Sequence, residues 1–299
     1  MRYIFLFIIT IILAIPFSTE AQRWKRFRYE AIFGIGATNF LGELGGANQI
    51  GTNYVRDLEL LLTRPVFNLS LRYRTGEYTF MKFNTYYGWV RGDDKLTDEF
   101  FRNNRNLNFR SSLFEFSGQF EFSFKSEQIG HKYKLRGVRG RSNLQIFSYG
   151  FVGLGGFYFQ PKGKDREGNW IKLKPLLTEG QTLIPTRDKY SSVQFVIPFG
   201  IGFKYALDKQ WVINLEIGAH KSFTDYIDDV SSSYFDNDRL RELVGDKAAE
   251  MADPSLNRPS QQTAPGAQRG DRLDKDIYMF AVLSVNYKLR TTRNNLPSF

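Results

Sequence analysis

Six side chains have the types and spacing that could support metal binding or acid–base chemistry. They are Asp93, Asp94, Asp225, Asp228, Asp229 and His220. Neighbouring carboxylates can bind Ca²⁺, and a carboxylate close to a histidine can form an acid–base pair. Ser222 follows the histidine by two residues, which is too little to indicate a nucleophile. The alternative is that the aspartates are solvated turn residues at the ends of strands.

Other kinds of catalytic or cofactor site lack the residues that they need. The chain has no cysteine, which excludes disulfides, thiolate metal sites and a thiol nucleophile. A glycine-rich phosphate loop, zinc-ligand spacing and a helix with paired acids are also missing. We therefore expect no enzyme activity, no cofactor and no small-molecule substrate, and the five aspartates remain the candidates for a metal site.

The N-terminal residues predict export. Arg2 precedes an apolar run from Tyr3 to Phe17, and Thr19 and Ala21 fit the −3 and −1 positions of a signal-peptidase site. We interpret residues 1–21 as a cleaved secretory signal, with an uncleaved anchor helix as the alternative. The mature chain, residues 22–299, would then lie outside the cytoplasm.

The stretch FEFSGQFEFSF at 114–124 is the plainest indication of the fold. Every second residue is a phenylalanine except Gly118, and polar residues lie between them. This alternation is typical of a β-strand with one apolar and one polar face. In a membrane barrel the apolar face contacts lipid and the polar face lines the lumen.

Seven other stretches alternate in the same way, which predicts eight strands. Their ranges are 27–38, 66–74, 78–91, 107–124, 144–160, 192–207, 210–223 and 276–290. Phe147, Tyr149, Phe151, Phe157 and Phe159 share one face of the fifth strand. Connections after the odd-numbered strands are long, whereas those after the second and sixth are very short. Short inner turns and long outer loops favour an all-β, eight-stranded antiparallel up-and-down outer-membrane barrel over a soluble sandwich.

The polar faces of these strands carry charges of both signs. The residues expected in the lumen are Arg28, Glu30, Arg72, Arg74, Lys82, Glu115, Glu121, Lys204, Glu216 and Lys288. An eight-stranded barrel has room for side chains and little else. We therefore expect paired charges to plug the barrel, with a small conducting pore as the alternative.

The last long outer loop, 231–275, divides into two parts. Residues 236–252 place apolar side chains near helical spacing, with Asp236 or Asp238 as the N-cap and Pro254 after the end. Residues 255–270 are rich in Pro, Gln, Asn and Gly, which predicts a flexible segment.

One connection at the inner end of the barrel is strongly basic. Its cationic residues are Lys125, Lys132, Lys134, Arg136, Arg139 and Arg141, and its one acidic residue is Glu127. The whole chain has a net charge of +10. Nucleic acid is an unsuitable partner for an exported chain. The two remaining hypotheses for this segment are contact with lipid headgroups and docking to a protein.

Several longer strings have a family resemblance. They are GATNFLGELGG at 36–46, RPVFNLSLRYR at 64–74, RGDD at 91–94, NRNLNFRSSLFE at 104–115, KPLLTEGQ at 174–181, IPFGIGFK at 197–204 and TDYIDDVSSSY at 224–234. Because of these strings taken together, the chain resembles the PorG-like outer-membrane barrels of the type IX secretion system. The strings LTEGQ and TDYIDDVS are the specific ones, and the loop from about 236 to 275 matches nothing in that family.

The resemblance implies a role without catalysis. Proteins of this family associate with the periplasmic ring formed by the lipoprotein PorK and its partner PorN, and they tether that ring to the outer membrane. No catalytic residues carry over. The alternatives are a generic structural or porin-like barrel and a barrel hydrolase of lipid or peptide that uses His220 and Asp228.

Overall fold

The computed structural model describes residues 26–42, 44, 60–127, 146–256, 261–272, 274–292 and 297–298. The predicted signal, residues 1–21, lies outside the described residues, as do five of the six basic residues of the inner connection. These five are Lys132, Lys134, Arg136, Arg139 and Arg141.

Eight long antiparallel strands in the described part of the chain close into a barrel. The ten strands, in order, are β1 (Tyr29–Leu41), β2 (Arg64–Arg74), β3 (Thr79–Asp93), β4 (Asn108–Ser123), β5 (Ile146–Lys164), β6 (Trp170–Lys172), β7 (Val193–Ala206), β8 (Trp211–Ser222), β9 (Ile277–Thr291) and β10 (Pro297–Ser298). Each long strand pairs with the next, and β1 pairs with β9 from Tyr29–Leu289 to Leu41–Ile277. The short β6 and β10 only extend β5 and β9. The predicted eight-stranded up-and-down barrel is confirmed.

The two faces of the barrel wall differ in polarity. Phe33, Leu69, Phe83 and Phe116 point outward and are more than half exposed. Nine of the ten charges predicted for the lumen are buried, and Arg28 at the strand end is half-buried. Exposed apolar residues on this scale are stable only against hydrocarbon, so the outer surface is a lipid-facing belt.

The fifth strand of the barrel, β5, departs from apolar-out alternation. Its aromatic row at 147, 149, 151, 157 and 159 faces inward and is buried, so these rings fill the lumen. The outward positions are taken by residues such as Val152, Leu154 and Tyr158. Both faces of this strand are apolar. The rule that apolar residues face lipid therefore does not predict which face of β5 points outward.

In the described part of the outer loops there are three short α-helices: α1 (Phe100–Arg105), α2 (Asn237–Leu243) and α3 (Asp246–Ala252). The prediction of one helix over 236–252 is corrected, because Gly245 has a φ of 120° and separates α2 from α3. The N-cap at Asp236 is confirmed, since its side chain accepts from the backbone N–H groups of Asp238 and Arg239. Among the described residues, no helix has both the length and the apolar character needed to cross a membrane.

The seam that closes the barrel depends on the absence of a side chain at Gly36. A Cβ at this position would overlap the carbonyl oxygen of Ala281 and lie 2.8 Å from Cα of Val282 in β9. We expect Gly36→Ala to destabilise the folded barrel by about 1–3 kcal/mol through overpacking. Urea unfolding in lipid vesicles measures this change.

Gly118→Ala is the matched control, because its Cβ would lie 3.7 Å from the nearest atom, in Phe83. We expect an effect within about 0.5 kcal/mol. Equal unfolding midpoints for the two variants would contradict the close approach at the β1–β9 seam.

Candidate functional site

The lumen near the inner end is organised around Arg72. Its guanidinium forms ion pairs with Glu121 at 2.6 Å, Glu30 at 3.1 Å and Glu127 at 3.4 Å. It also lies 3.6 Å from the ring centroid of Phe80. Lys204 and Lys288 also form ion pairs with these carboxylates. Burying an unpaired charge costs several kcal/mol, so the balance of three carboxylates and three cations is what allows all six charges to be buried.

A second buried group surrounds Glu216 on β8. Its carboxylate accepts from Lys82 at 2.7 Å, from the Tyr149 hydroxyl at 2.7 Å and from the Tyr86 hydroxyl at 3.1 Å. These residues come from β3, β5 and β8, so the contacts span the lumen. Ion pairs and rings occupy the interior, as expected for a plugged barrel of this width.

Glu127 belongs to the inner connection by sequence but to the lumen by structure. It follows β4, is buried, and accepts from Lys288 at 2.9 Å and from Lys204 at 3.3 Å. The expectation that a periplasmic partner could reach this carboxylate is therefore wrong. Lys125, the described basic residue of the connection, is exposed.

His220 lies in the lumen, where its surroundings are structural. Its Nδ1 is 2.9 Å from Oε2 of Glu115, and that oxygen also accepts from the Tyr278 hydroxyl at 2.8 Å. Ser222 donates instead to the backbone carbonyl of Thr224 at 2.9 Å. The structure thus gives His220 a carboxylate partner on β4, not the nearby serine or Asp228.

The first aspartate pair is held by arginines. Asp93 contacts Arg91 at 2.8 Å, and Asp94 contacts Arg105 at 2.8 Å. Asp94 also accepts from the backbone N–H of Leu107 at 3.1 Å. Burial raises the pKa of Asp94, and Arg105 opposes that shift.

The second aspartate group is buried among hydroxyls and backbone amides. Asp229 accepts from the Tyr190 hydroxyl at 2.6 Å and from the Thr178 hydroxyl at 2.5 Å, and Asp228 accepts from the N–H of Val230 at 2.9 Å. The alternative of solvated turn residues is therefore wrong for Asp94, Asp225, Asp228 and Asp229. These four side chains are buried.

Arg105 links the two aspartate groups. Its Nη1 donates to the carbonyl of Arg269 at 2.8 Å, and both Asp94 and Asp228 contribute to its electrostatic environment. Burial acts to lower the pKa of Arg105, but the charge and hydrogen bond of Asp94, together with Tyr234 and Asp228, raise that pKa. Arg105 thus occupies the position between the two aspartate groups that a metal ion shared by them would need. Among the described residues, no three potential metal ligands are grouped so as to hold an ion.

Glu179, within the string LTEGQ, is a central residue whose role was not predicted from the sequence. Its carboxylate accepts from the N–H of Ser231 at 2.9 Å, the hydroxyl of Ser232 at 2.6 Å and Arg269 at 2.9 Å. We call the set of Glu179, Arg269, Asp229, Asp94 and Arg105, with its hydroxyl and amide partners, the outer cap. The glycine- and proline-rich composition of 255–270 predicted flexibility, yet Arg269 is buried at the centre of this cap.

The comparisons with known proteins give a fold likeness and no family. No protein-family model matches the chain, and no curated protein matches it. Ail, the attachment invasion locus protein of Yersinia pestis, solved with the heparin analogue sucrose octasulfate, has a TM-score of 0.35 at 9% identity, over 87% of this chain and 98% of its own. Neisserial surface protein A has a TM-score of 0.35 at 8% identity, over 87% and 96%.

A third structure, the N-terminal β-barrel domain of Pseudomonas aeruginosa OprF, has a TM-score of 0.33 at 10% identity, over 87% of this chain and 97% of its own. At such scores the likeness carries nothing about function. The strand pairing and the polarity of the two faces define the class: a closed eight-stranded β-barrel of the outer-membrane type, with a charged, filled lumen.

Asp229 in the outer cap, and Asp225 beside it next to Ser231, make this region sensitive to pH. Burial raises the pKa of Asp225 to about 7 and that of Asp229 to about 6, against the opposing effects of Ser231 and Arg269 respectively. Between about pH 4 and pH 7 the folded cap keeps a proton that the unfolded segment has lost. The stability of the cap therefore falls as the pH rises through this window.

We expect Asp225→Asn to stabilise the cap at pH 8 by about 1–2 kcal/mol and to leave it unchanged near pH 4. Amide hydrogen exchange of residues 224–231, measured on the full chain in micelles, follows local opening. The exposed Asp188→Asn should leave the exchange profile as in the wild type. Exchange at pH 8 that is no slower in Asp225→Asn would contradict the assignment.

Proposed function

We propose that the chain is a non-enzymatic outer-membrane component of the type IX secretion machinery, which tethers the periplasmic PorK/PorN ring to the outer membrane. The proposal combines the family resemblance of the sequence with the charge of the inner connection. Outer-membrane lipids are the other partner, since the lipid-facing belt has to be covered by hydrocarbon.

The observation that carries the proposal is the position of Glu127. Lys204, Lys288 and Arg72 hold this carboxylate inside the barrel. The remaining charged residues of the connection are all basic, and nothing in its own sequence neutralises them. A segment of this kind suits docking to an acidic protein surface at the periplasmic side.

The outer cap supports the resemblance from the opposite end of the barrel. LTEGQ and TDYIDDVS, the two specific strings, are about fifty residues apart, yet Thr178 bonds to Asp229 and Glu179 bonds to Ser231 and Ser232. Two strings that build one structural unit are expected to persist together in a family. This is an argument for a shared structure, from which the shared role is inferred.

A structural barrel without a secretion partner is the alternative. The filled lumen favours it over a porin, because paired charges and rings leave little room for solute. The binding of His220 to Glu115 rather than to Ser222 gives no support to a hydrolase. Deletion of the gene separates the two remaining roles: loss of protein export supports the tether, and normal export supports the structural barrel.

We expect that reversing the charges of Lys132, Lys134, Arg136 and Arg139 to Glu reduces capture of the ring complex at least about tenfold, because like charges then face each other. Pull-down from solubilised outer membranes measures the capture. Heat-dependent mobility on gels shows that the barrel remains folded.

Reversal of four exposed residues of the outer loops, Lys95, Lys189, Arg239 and Arg272, to Glu is the matched control. This variant has the same net charge and should capture the ring as the wild type does. If both variants capture the ring as well as the wild type does, the docking assignment is refuted. If both lose capture to the same extent, the effect is one of net charge and is not specific to the inner connection.

A further inference from the structure

The strand register places four cations in one row on the outer surface. Arg91 on β3 pairs directly with Arg110 on β4, Arg110 with Lys162 on β5, and Lys162 with Lys172 on β6. All four occupy outward-facing positions at the outer ends of their strands. We call these four residues the cation row.

The row lies above an aromatic layer. Tyr87, Phe114 and Tyr158 are direct neighbours across β3, β4 and β5 and face outward. The layer between them and the row contains Trp89, paired with Ser112. Aromatic rings of this kind occupy the boundary between hydrocarbon and headgroups. The cation row therefore lies beyond this aromatic boundary, on its outer-headgroup side.

The protein supplies little negative charge to this row. Arg91 contacts Asp93 at 2.8 Å, and the guanidinium of Arg110 lies 4.3 Å from the ring centroid of Trp170. Within the described ranges, no carboxylate is in salt-bridge distance of Arg110, Lys162 or Lys172. Like charges directly opposite each other on neighbouring strands are destabilising. Arg110, Lys162 and Lys172, which have no such carboxylate among the described residues, are therefore suited to binding an external anion.

We propose that the cation row binds the phosphate groups of outer-leaflet lipid headgroups. Lysines bind phosphate as point charges, and Arg110 keeps its N–H donors in the guanidinium plane while stacking on Trp170. The location beside a lipid-facing wall favours a membrane-anchored phosphate over a soluble one. The inference rests on the proposed membrane location and is independent of the ring partner.

The test compares full-length wild type with the triple variant Arg110→Gln, Lys162→Gln and Lys172→Gln in phosphatidylcholine nanodiscs that contain diphosphoryl lipid A. Native mass spectrometry counts the lipid A molecules that stay bound to the protein while the surrounding nanodisc lipid is stripped away. Each cation removed weakens the attraction to an anionic headgroup, so we expect the triple variant to retain lipid A at least about tenfold more weakly.

The matched control removes the same number of charges from the inner end, with Arg26→Gln, Lys209→Gln and Arg290→Gln, all exposed. It should retain lipid A as the wild type does. Equal retention by the row variant, or equal loss in both variants, would overturn the proposal. Displacement of lipid A by millimolar inorganic pyrophosphate would also overturn it, because the site would then bind free phosphate.

Vesicle flotation separates this result from a failure of the membrane location. If the wild type floats with vesicles but the row variant retains lipid A unchanged, the cation row alone is refuted. If the wild type does not float, the proposed membrane location is refuted, and the cation-row proposal that rests on it is refuted as well. Ring capture by the row variant should remain at the wild-type level, since the two surfaces lie at opposite ends of the barrel.

Discussion

Each ion inside this barrel needs a partner, because the wall that surrounds it faces hydrocarbon. Arg72 shows the constraint most clearly, since Glu30, Glu121 and Glu127 all converge on it. Removing one partner from such a set typically costs about 3–5 kcal/mol, because the others are left buried and uncompensated. The lumen is therefore a rigid, mutually dependent network. A rigid, filled barrel is suited to anchoring and poorly suited to conducting solutes.

The same constraint shapes both ends of the molecule. At the inner end Glu127 is buried in the lumen, where it pairs with Lys288. The other charged residues of the inner connection are all basic. At the outer end Glu179 and Arg269 join the loop between β6 and β7 to the loop between β8 and β9. Buried charges thus fix the positions of the loops as well as the strands. The candidate surfaces for partners follow from where those charges are neutralised and where they are not.

Alternation along the chain was sufficient to predict the strands, because one face of most strands is apolar and the other polar. It failed on β5, where Phe157 and Leu154 belong to opposite faces and period alone does not decide which one is inside. The outer cap was beyond prediction for a different reason. The contact of Glu179 with Arg269 joins residues 90 positions apart in loops without periodicity. Gly245 was visible in the sequence, but its positive φ was not.

The central claim is that the apolar face contacts lipid and the charged face is enclosed. Phenylalanines of both faces allow a direct measurement: Phe83 and Phe116 are 58% exposed, whereas Phe80 is 0% and Phe157 is 1% exposed. Nuclear Overhauser effects between ring protons and lipid acyl chains, recorded on the full-length protein in nanodiscs, report contact with hydrocarbon. The account predicts such effects for Phe83 and Phe116 and none for Phe80 and Phe157. The reverse pattern, or acyl-chain contacts at all four rings, would contradict it.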